Sequence, residues 1–264
     1  MSKIGFIGVG NMGGALAAAA AKGQNEIYVA DYDASKAARV AREIGATACT
    51  NAEIYKTARY IFLGVKPQVI SSVLADAALY LKDRTDRYVL VSMAAGVKIQ
   101  KIIEDLGFSA PIIRIMPNLP VSAGEGMVVY TAGDDVVREE IGELIAAMQY
   151  SGRWDGIDEE FIDAASAVSG CGPAFCFMFA KALADGGAIN GLDSDNAIKF
   201  AAQTMKGAAE MLLRGGDADT LVKAVCSPGG STIEGVKVLE ERGLHNAVAS
   251  AITASYNRTK ELGK

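Results

Sequence analysis

IGFIGVGNMG, residues 4–13, is the stretch that decides the fold of the N-terminal half. Its first four residues predict a short buried strand, and the apolar run at residues 15–21 predicts a helix. Between them lies the spacing Gly-x-Gly-x-x-Gly, formed by Gly8, Gly10 and Gly13. Such glycines allow, in turn, a tight turn, close approach of a pyrophosphate to the backbone, and close packing of the helix on the strand. Because the motif stands between a strand and a helix, it indicates a dinucleotide site.

An acidic residue, Asp31, ends the next apolar run at residues 26–31. At the end of the second strand a carboxylate accepts hydrogen bonds from ribose hydroxyls and repels a 2′-phosphate, which favours NADH. Lys36 and Arg39 lie nearby in the sequence; they are either phosphate ligands or simply solvated helix charges. The choice between NADH and NADPH therefore stays open on these residues.

The rest of the first half alternates apolar runs with helical patterns. Further strands are predicted at residues 26–31, 60–65, 88–92 and 112–115, and helices are predicted between them. Nearly continuous apolar strands separated by helices are typical of a parallel sheet covered on both faces. We therefore predict a Rossmann-like, doubly wound α/β domain over residues 1–158.

The strand pattern ends at Asp158, and residues 159–264 predict an all-helical domain. Two apolar stripes recur there at helical spacing: Phe175, Met178, Phe179 and Ala182 in one segment, and Ile198, Ala202, Met205, Ala209 and Leu212 in another. Stripes this apolar need a partner helix. They favour core or subunit packing over a cofactor pocket.

Composition narrows the class of protein. Of the 264 residues, 50% are hydrophobic and 22% are charged, so a large core is expected. A net charge of -5 offers no basic surface for nucleic acid. No segment reaches the roughly 18 uninterrupted apolar residues of a membrane span, and the first residues lack the pattern of a signal peptide. We expect a cytoplasmic protein without a membrane partner.

Cysteine and histidine usage argues against a metal centre. The four cysteines, Cys49, Cys171, Cys176 and Cys226, lack Cys-x-x-Cys spacing, and isolated thiols suit a reducing cytoplasm. The single histidine, His245, is expected to be a surface or packing residue rather than an acid–base catalyst. No cluster has the spacing of metal ligands, so no metal is expected.

Two Gly-rich loops interrupt the helical half, at residues 169–174 and 227–232. Each places a proline near the first position of a helix, where its missing N–H costs little, and Ser227 is a candidate N-cap. A cap alone does not require two glycines, each of which costs up to about 1 kcal/mol in a helix. Exposed backbone N–H groups and the hydroxyls of Ser227, Ser231 and Thr232 would instead bind an anion. A substrate that carries a carboxylate suits the second loop.

Over nearly its whole length the sequence resembles the pyrroline-5-carboxylate reductase family. The resemblance is carried by IGFIGVGNMG and by five further segments: VKP at 65–67, AAG at 94–96, RIMPN at 114–118, SGCGPAF at 169–175 and VCSPGGSTIE at 225–234. The last of these is the most specific. The resemblance implies NAD(P)H-dependent reduction of 1-pyrroline-5-carboxylate to L-proline, the last step of proline biosynthesis, with hydride transfer to the imine carbon.

The resemblance also implies residue roles. Thr232 would be the catalytic residue that hydrogen-bonds the ring nitrogen, and the substrate carboxylate would be held by Ser227, Gly229, Gly230 and Ser231. Met116, Pro117 and Asn118 would lie near the nicotinamide. Together with Asp31, which is assigned from its place at the end of the second strand, the expected cofactor residues are Ile7, Gly8, Gly10, Asn11, Met12, Gly13, Asp31, Asn51, Val65, Lys66, Pro67, Met116, Pro117 and Asn118. The family joins its helical halves in an intertwined homodimer, sometimes assembled further into decamers. Residues 159–264 would therefore form a dimerisation domain.

The sequence departs from the family pattern at a few positions. Leu119 stands where the family commonly has Thr, which removes a hydroxyl near the nicotinamide. Cys171 and Ser231 replace a frequent Ser and Thr, and both changes are mild. Asp31 is not typical of members that prefer NADPH, so the family does not decide the cofactor.

Two other classes of protein combine a dinucleotide domain with helices. A β-hydroxyacid dehydrogenase needs a lysine shortly after a Gly-rich loop and an asparagine one helical turn later. Here Cys176 and Ala180 occupy those places, and Lys181 is out of register. A non-catalytic dinucleotide sensor would have a degraded substrate loop, whereas residues 227–232 are intact. Both alternatives are weaker than the reductase.

Overall fold

A computed structural model of the chain describes residues 2–262. It divides into two compact units: one contains the residues up to Cys171 and those from Ser255 onward, and the other is Gly172–Ala254. The first unit holds the whole β-sheet, and the second is helical. The predicted fold class, a Rossmann-like α/β domain followed by a helical domain, is confirmed.

The sheet is mostly parallel. Its eight strands are β1 (Lys3–Ile7), β2 (Glu26–Ala30), β3 (Thr47–Ala48), β4 (Tyr60–Leu63), β5 (Val89–Ser92), β6 (Ile112–Met116), β7 (Gly126–Ala132) and β8 (Gly152–Gly156). They lie in the order β3-β2-β1-β4-β5-β6-β7-β8. Neighbours from β3 to β6 are parallel, whereas β7 runs antiparallel to β6 and parallel to β8. The parallel part has the strand order 3-2-1-4-5-6 that is common in dinucleotide-binding domains.

Helices cover both faces of this sheet. They are α1 (Asn11–Ala21), α2 (Ala34–Ile44), α3 (Asn51–Thr57), α4 (Pro67–Leu81), α5 (Ile99–Leu106), α6 (Arg138–Ala147) and α7 (Ile162–Ser169). Side chains alternate along each strand, so Phe6 and Phe62 pack with α1, α2 and α6, while Ile7 and Leu63 pack with α3, α4 and α5. Strands buried on both faces explain why the sequence shows continuous apolar runs rather than alternation.

Three strands were not predicted from the sequence. β3 has only two residues, and β8 has the polar sequence GRWDG, so neither carries an apolar run. β7 does carry one, MVVY at residues 127–130, and was overlooked. Gly126 and Gly152 allow β7 and β8 to meet closely, because a Cβ on Gly152 would overlap the backbone of Gly126. The sheet is therefore larger than predicted and is mixed at one end.

The second unit is built from long helices. They are α8 (Gly172–Ile189), α9 (Ser194–Leu213), α10 (Ala218–Val225), α11 (Ser231–Glu241) and α12 (Leu244–Leu262), of which α12 ends in the first unit. α8 packs on α9 along a seam of small buried residues, which are Ala180, Ala184, Ala197 and Ala201. Small side chains let two helix backbones approach closely.

The apolar stripes predicted on α8 and α9 remain largely exposed. Met178 is 71% exposed, and Ile198 and Leu212 are also exposed, whereas Phe175 and Met205 are half-buried. Among residues 2–262, one stretch, Glu159–Ile189, is long and apolar enough to cross a membrane by length and composition only. One such stretch is weak evidence for a membrane span, because core helices of soluble proteins pass the same test. An apolar surface of this size indicates contact with another protein surface.

Candidate functional site

The segments predicted to bind the cofactor meet at one edge of the sheet. Residues 7–13 follow β1, Asp31 follows β2, Asn51 follows β3, residues 65–67 follow β4, and residues 116–118 end and follow β6. These strands are parallel, so their carboxyl ends share one edge. In open α/β sheets, ligands bind outside the carboxyl ends of the strands. The predicted cofactor residues are therefore brought together at the carboxyl edge of the parallel strands.

The Gly-rich loop has a backbone that side chains would not permit. Gly8 has φ +89°, and a Cβ there would come within 2.6 Å of the Gly64 carbonyl oxygen. The Gly8 N–H donates to the Ala30 carbonyl at 2.8 Å, which ties the loop to β2. A Cβ on Gly13 would overlap the Gly8 carbonyl oxygen. The tight turn and the close helix–strand packing expected from the motif are both present.

Gly10 is open toward the ligand side of the loop. Within residues 2–262, apart from the adjoining backbone, the only atom within 4 Å of a Cβ built there is Lys36 Nζ, at 3.8 Å. Gly10 is the N-cap of α1, no side chain caps that helix, and no acidic residue lies in its first turn. The first N–H groups of α1 are thus left for an anion, and the helix dipole favours one there. A dinucleotide pyrophosphate fits this cradle.

Asp31 is turned toward the loop. Its Oδ2 accepts hydrogen bonds from the Val9 N–H at 2.9 Å and from Lys36 Nζ at 3.3 Å, and its Oδ1 accepts from the Asp33 N–H at 3.1 Å. The side chain is 12% exposed. A carboxylate offers about four acceptor positions, so about one remains for a ribose hydroxyl. Asp31 therefore holds the Gly-rich loop through the Val9 N–H, and its ion pair with Lys36 offsets part of its charge.

Residues 65–67 close the other side of the loop. Val65 Cγ1 would lie 3.1 Å from a Cβ on Gly8, and the Gly64 N–H donates to the Ile7 carbonyl at 2.7 Å. Lys66 is the N-cap residue of α4, with an extended backbone and an exposed side chain, and Pro67 is its first helical residue. The positive end of the α4 helix dipole therefore lies beside the Gly-rich loop, where it favours an anion.

Cys49, between β3 and α3, is not a nucleophile. Burial raises the pKa of its thiol to about 11, and the nearby carboxylate of Glu53 adds to the increase. Glu53 itself completes a capping box with Thr50 at the start of α3, which fixes the backbone of Asn51. At neutral pH the thiol is protonated, so covalent chemistry at this edge is not expected.

Asn118 has a structural role that the sequence did not reveal. Its Nδ2 donates to the Ser169 carbonyl at 2.9 Å, and its Oδ1 accepts from the Met127 N–H at 2.9 Å. The side chain is buried. Asn118 therefore joins the end of β6 to the start of β7 and to the last turn of α7.

Arg114 belongs to the RIMPN segment, but the sequence alone assigned no role to its side chain. It is fully buried on β6 and pairs with Asp163 on α7 and with Glu159, the latter at 3.4 Å. Glu159 Oε1 also accepts from the Ile99 N–H at 2.8 Å. An arginine inside an otherwise apolar strand would have indicated an ion pair, because a buried charge needs a partner of opposite charge. Arg114 and Asn118 together attach both ends of α7 to the sheet.

The predicted substrate loop precedes α11 in the second unit. Gly229 has φ +71°, and the Gly230 N–H donates to the Ser227 carbonyl at 3.0 Å, which makes a tight turn. A Cβ on Gly230 would lie 2.6 Å from Ser227 Oγ and 3.1 Å from the Ser227 carbonyl oxygen, so a side chain there would crowd the turn. The N-cap of α11 is Gly230, with no side-chain cap. The prediction of Ser227 as N-cap was wrong, because the turn at residues 227–230 delays the helix to Ser231.

This loop presents polar groups to its surroundings. Ser227, Ser231 and Thr232 are exposed, and the first N–H groups of α11 have no side-chain acceptor. Hydroxyls and free N–H groups at a helix N-terminus suit a carboxylate. The structure thus gathers the predicted substrate residues in the second unit and the predicted cofactor residues in the first. Among residues 2–262, no group of His, Cys, Asp or Glu is arranged to hold a metal ion.

Comparison with known proteins gives family matches to both parts of the chain. Residues 159–262 match the family described as pyrroline-5-carboxylate reductase dimerisation. Residues 3–96 match the family described as NADP oxidoreductase, coenzyme F420-dependent. The chain is 38% identical to pyrroline-5-carboxylate reductase of Escherichia coli K12 over 99% of its own length and 98% of that protein.

Solved structures agree with these matches. A pyrroline-5-carboxylate reductase from Coxiella burnetii superposes with a TM-score of 0.89 at 32% identity, covering 100% of this chain and 99% of that one. The pyrroline carboxylate reductase of Plasmodium falciparum, solved with NADP bound, gives a TM-score of 0.88 at 29% identity. It covers 100% of this chain and 98% of that one.

Proposed function

The chain belongs to the pyrroline-5-carboxylate reductase family, and on that basis we infer that it reduces 1-pyrroline-5-carboxylate to L-proline with NAD(P)H, the last step of proline biosynthesis. The observation that carries this conclusion is similarity over 99% of the chain, through both the Gly-rich loop and the loop at residues 227–232. Against a β-hydroxyacid dehydrogenase stand Cys176 and Ala180, which occupy the places of its lysine and asparagine, and against a non-catalytic sensor stands the intact loop at residues 227–232. The enzyme is an oxidoreductase that uses a nicotinamide dinucleotide.

The first unit holds the cofactor. The open backbone at Gly10 and the uncapped start of α1 receive the pyrophosphate, while Lys66 and Pro67 bound it at the start of α4. Asn51 lies beside the adenosine half, and residues 116–118 lie toward the nicotinamide. Bound NAD(P)H supplies the hydride that the imine carbon accepts.

The loop before α11 holds the substrate. Ser227, Ser231 and the backbone at Gly229 and Gly230 bind the carboxylate. The two hydroxyls are exposed and α11 has no side-chain cap, while the Gly230 N–H is already used in the turn to the Ser227 carbonyl. Thr232 accepts a hydrogen bond from the protonated ring nitrogen through Oγ1, which favours the iminium form. The iminium carbon then gains the hydride and its π electrons return to nitrogen, giving the secondary amine of L-proline. Alignment of the two reactants accounts for much of the rate, without a metal or a strong acid.

NADH is the preferred cofactor in this proposal. Asp31 stands at the end of β2, where a carboxylate repels a 2′-phosphate. Lys36 lies 3.3 Å from Asp31 Oδ2 and reduces this repulsion, so NADPH is used as well, but less efficiently. The preference for NADH thus depends on a carboxylate that is partly neutralised.

The working protein is an oligomer, and we assign it as a homodimer that is able to assemble further into a decamer. The exposed apolar faces of α8 and α9 within the matched dimerisation region support this assignment. Functionally, residues 1–158 bind the dinucleotide, and residues 159–264 bind the substrate and the second subunit. All four cysteines are free, which suits a cytoplasmic protein. No nucleic acid or membrane takes part.

A direct assay tests this function. Purified protein would be mixed with 1-pyrroline-5-carboxylate and either NADH or NADPH, and absorbance of the reduced nicotinamide would be followed while proline is quantified. Oxidation of cofactor with stoichiometric L-proline is expected, faster with NADH. Binding of dinucleotide without oxidation would contradict the assigned reaction and favour another imine or a sensing role.

A further inference from the structure

Tyr32 is the most exposed large apolar side chain among those described in the first unit. Its exposure is 106%, so the ring makes no packing contact with the rest of the structure. An aromatic ring held in water contributes nothing to the core, and a fully exposed one is often part of a binding surface. The ring is thus available for a ligand.

The backbone on both sides of Tyr32 is held in place. Asp31 precedes it and binds the Val9 and Asp33 N–H groups through its carboxylate. Asp33 follows it and caps α2 by accepting from the Ser35 N–H at 2.9 Å. The Tyr32 ring therefore projects from a fixed point on the carboxyl edge of the sheet. It is exposed, but the backbone that carries it is anchored.

The position of Tyr32 identifies which part of the cofactor it faces. The 2′-hydroxyl read at the end of β2 belongs to the adenosine ribose, so the residue beside Asp31 lies within one sugar of the adenine base. In the proposed function the pyrophosphate lies at Gly10 and the start of α1, which follow β1, the strand beside β2. The base consequently extends outward past β2, where Tyr32 is the available aromatic surface.

We propose that Tyr32 is an affinity-determining residue for the cofactor, whose ring stacks on the adenine base. The inference rests on the proposed dinucleotide function and adds an adenine contact to it. A base stacked on an aromatic side chain gains about 5- to 150-fold in affinity. The contact is far from the nicotinamide, so it affects cofactor binding and leaves the hydride step unchanged.

Titration calorimetry with ADP-ribose, in the absence of substrate, tests the proposal. Tyr32→Ala should weaken ADP-ribose binding by at least about fivefold, while Tyr32→Phe and Tyr32→Trp should stay within about twofold because they keep a ring. In turnover with NADH, Tyr32→Ala should raise KM for NADH with kcat unchanged. Leu79→Ala, which removes another exposed apolar side chain in the first unit, is the matched control and should bind ADP-ribose normally.

Three results would overturn the proposal. The first is wild-type affinity of Tyr32→Ala for ADP-ribose. The second is equal weakening in Tyr32→Phe, which would point to the hydroxyl rather than the ring. The third is equal weakening in Leu79→Ala, which would show a general effect of surface change. A protein that binds ADP-ribose through Tyr32 but does not reduce 1-pyrroline-5-carboxylate would instead contradict the proposed reaction and leave the adenine contact standing.

Discussion

At the scale of single residues, the account rests on a few polar groups with different tasks. Thr232 is exposed at the start of α11, where it is free to meet a substrate nitrogen. Asp31 is nearly buried and already accepts three hydrogen bonds. Thr232 is expected to affect the rate of the reaction, and Asp31 is expected to affect the choice between NADH and NADPH.

Replacement of Thr232 should slow the reaction without loss of cofactor. A hydrogen bond to a charged group is worth about 1.5–3 kcal/mol, so Thr232→Ala should lower kcat about 10- to 150-fold. Thr232→Ser keeps the hydroxyl and should retain most activity. Steady-state kinetics with a parallel NADH titration would measure both effects. Wild-type turnover in Thr232→Ala would remove the catalytic role from this residue.

Replacement of Asp31 should change the ratio of NADPH to NADH use. Asp31→Ser removes the charge that opposes a 2′-phosphate and leaves Lys36 unpaired, so kcat/KM for NADPH relative to NADH should rise about tenfold or more. Lys36→Ala is the matched variant and should lower the same ratio. The measurement is kcat/KM with each cofactor. An unchanged ratio in both variants would show that neither residue senses the 2′-position.

At the scale of elements, two buried ionic clusters fix the helices on the sheet. At the amino end of β4 and β5, Glu140 on α6 is buried and pairs with Arg59 at 2.8 Å and with Arg87 at 2.8 Å. At the end of β6, Arg114 and Asn118 hold α7. Removing one partner from such a cluster leaves an uncompensated buried group.

Glu140 should make stability depend on acidity. Burial alone would raise the pKa of its carboxyl, but hydrogen bonds from Arg87, the Val137 N–H and Arg59 lower it to about 2, from an ordinary value of 4.5. Because the folded state favours the ionised carboxylate of Glu140, this group stabilises the fold above pH 4.5, and the stabilisation is lost as the pH falls toward 2. The contribution is about 3 kcal/mol. Urea unfolding of wild type and Glu140→Gln should differ at pH 7 and converge near pH 2; parallel curves would contradict this.

Asp163 should be needed to balance Arg114. Asp163→Ala leaves the buried guanidinium with only the longer contact to Glu159, so the free energy of unfolding should fall by about 3 kcal/mol. Glu160→Ala removes an exposed carboxylate from the same segment and should change stability by less than about 0.5 kcal/mol. Urea unfolding at neutral pH measures both. Equal effects would mean that the Arg114 cluster does not stabilise α7.

At the scale of the whole molecule, the single chain leaves apolar helix faces in water. Phe177 and Met178 on α8 are mostly exposed, within the region that matches a dimerisation family. A second copy of the chain is the expected cover for these faces. Stability and activity should therefore depend on subunit concentration.

Placing a charge in this face should separate the subunits. Met178→Glu should shift the mass measured by light scattering from dimer or larger toward monomer and lower the Tm by several degrees. Leu79→Glu places the same charge on an exposed apolar side chain outside the matched dimerisation region and should leave the assembly intact. A Met178→Glu protein with wild-type mass would place the subunit contact elsewhere.

The sequence predicted those features that depend on local patterns. The strands β1, β2, β4, β5 and β6, the Gly8 turn and the helical second half follow from apolar periodicity and glycine spacing. The short strands β3 and β8 depend on pairing with neighbours rather than on their own residues, so they were not predictable.

Contacts between residues that lie far apart in the sequence could not be predicted either. Asn118 meets Ser169 and Arg114 meets Asp163 only after the chain has folded, and no local pattern marks those partners. The orientation of Asp31 toward Val9 likewise depends on two strands lying side by side. The substrate roles at residues 227–232 came from the family resemblance, because composition alone indicated only an anion site.

Transfer of an isotope tests the central claim most directly. The protein would be incubated with 1-pyrroline-5-carboxylate and NADH deuterated at nicotinamide C4 on one face, then on the other, and the proline analysed by mass spectrometry and NMR. One of the two cofactors should place a single deuterium at C5 of L-proline, and Thr232→Ala should reduce the rate of that transfer. Proline without deuterium from either cofactor, or no proline at all, would contradict hydride transfer to the cyclic imine.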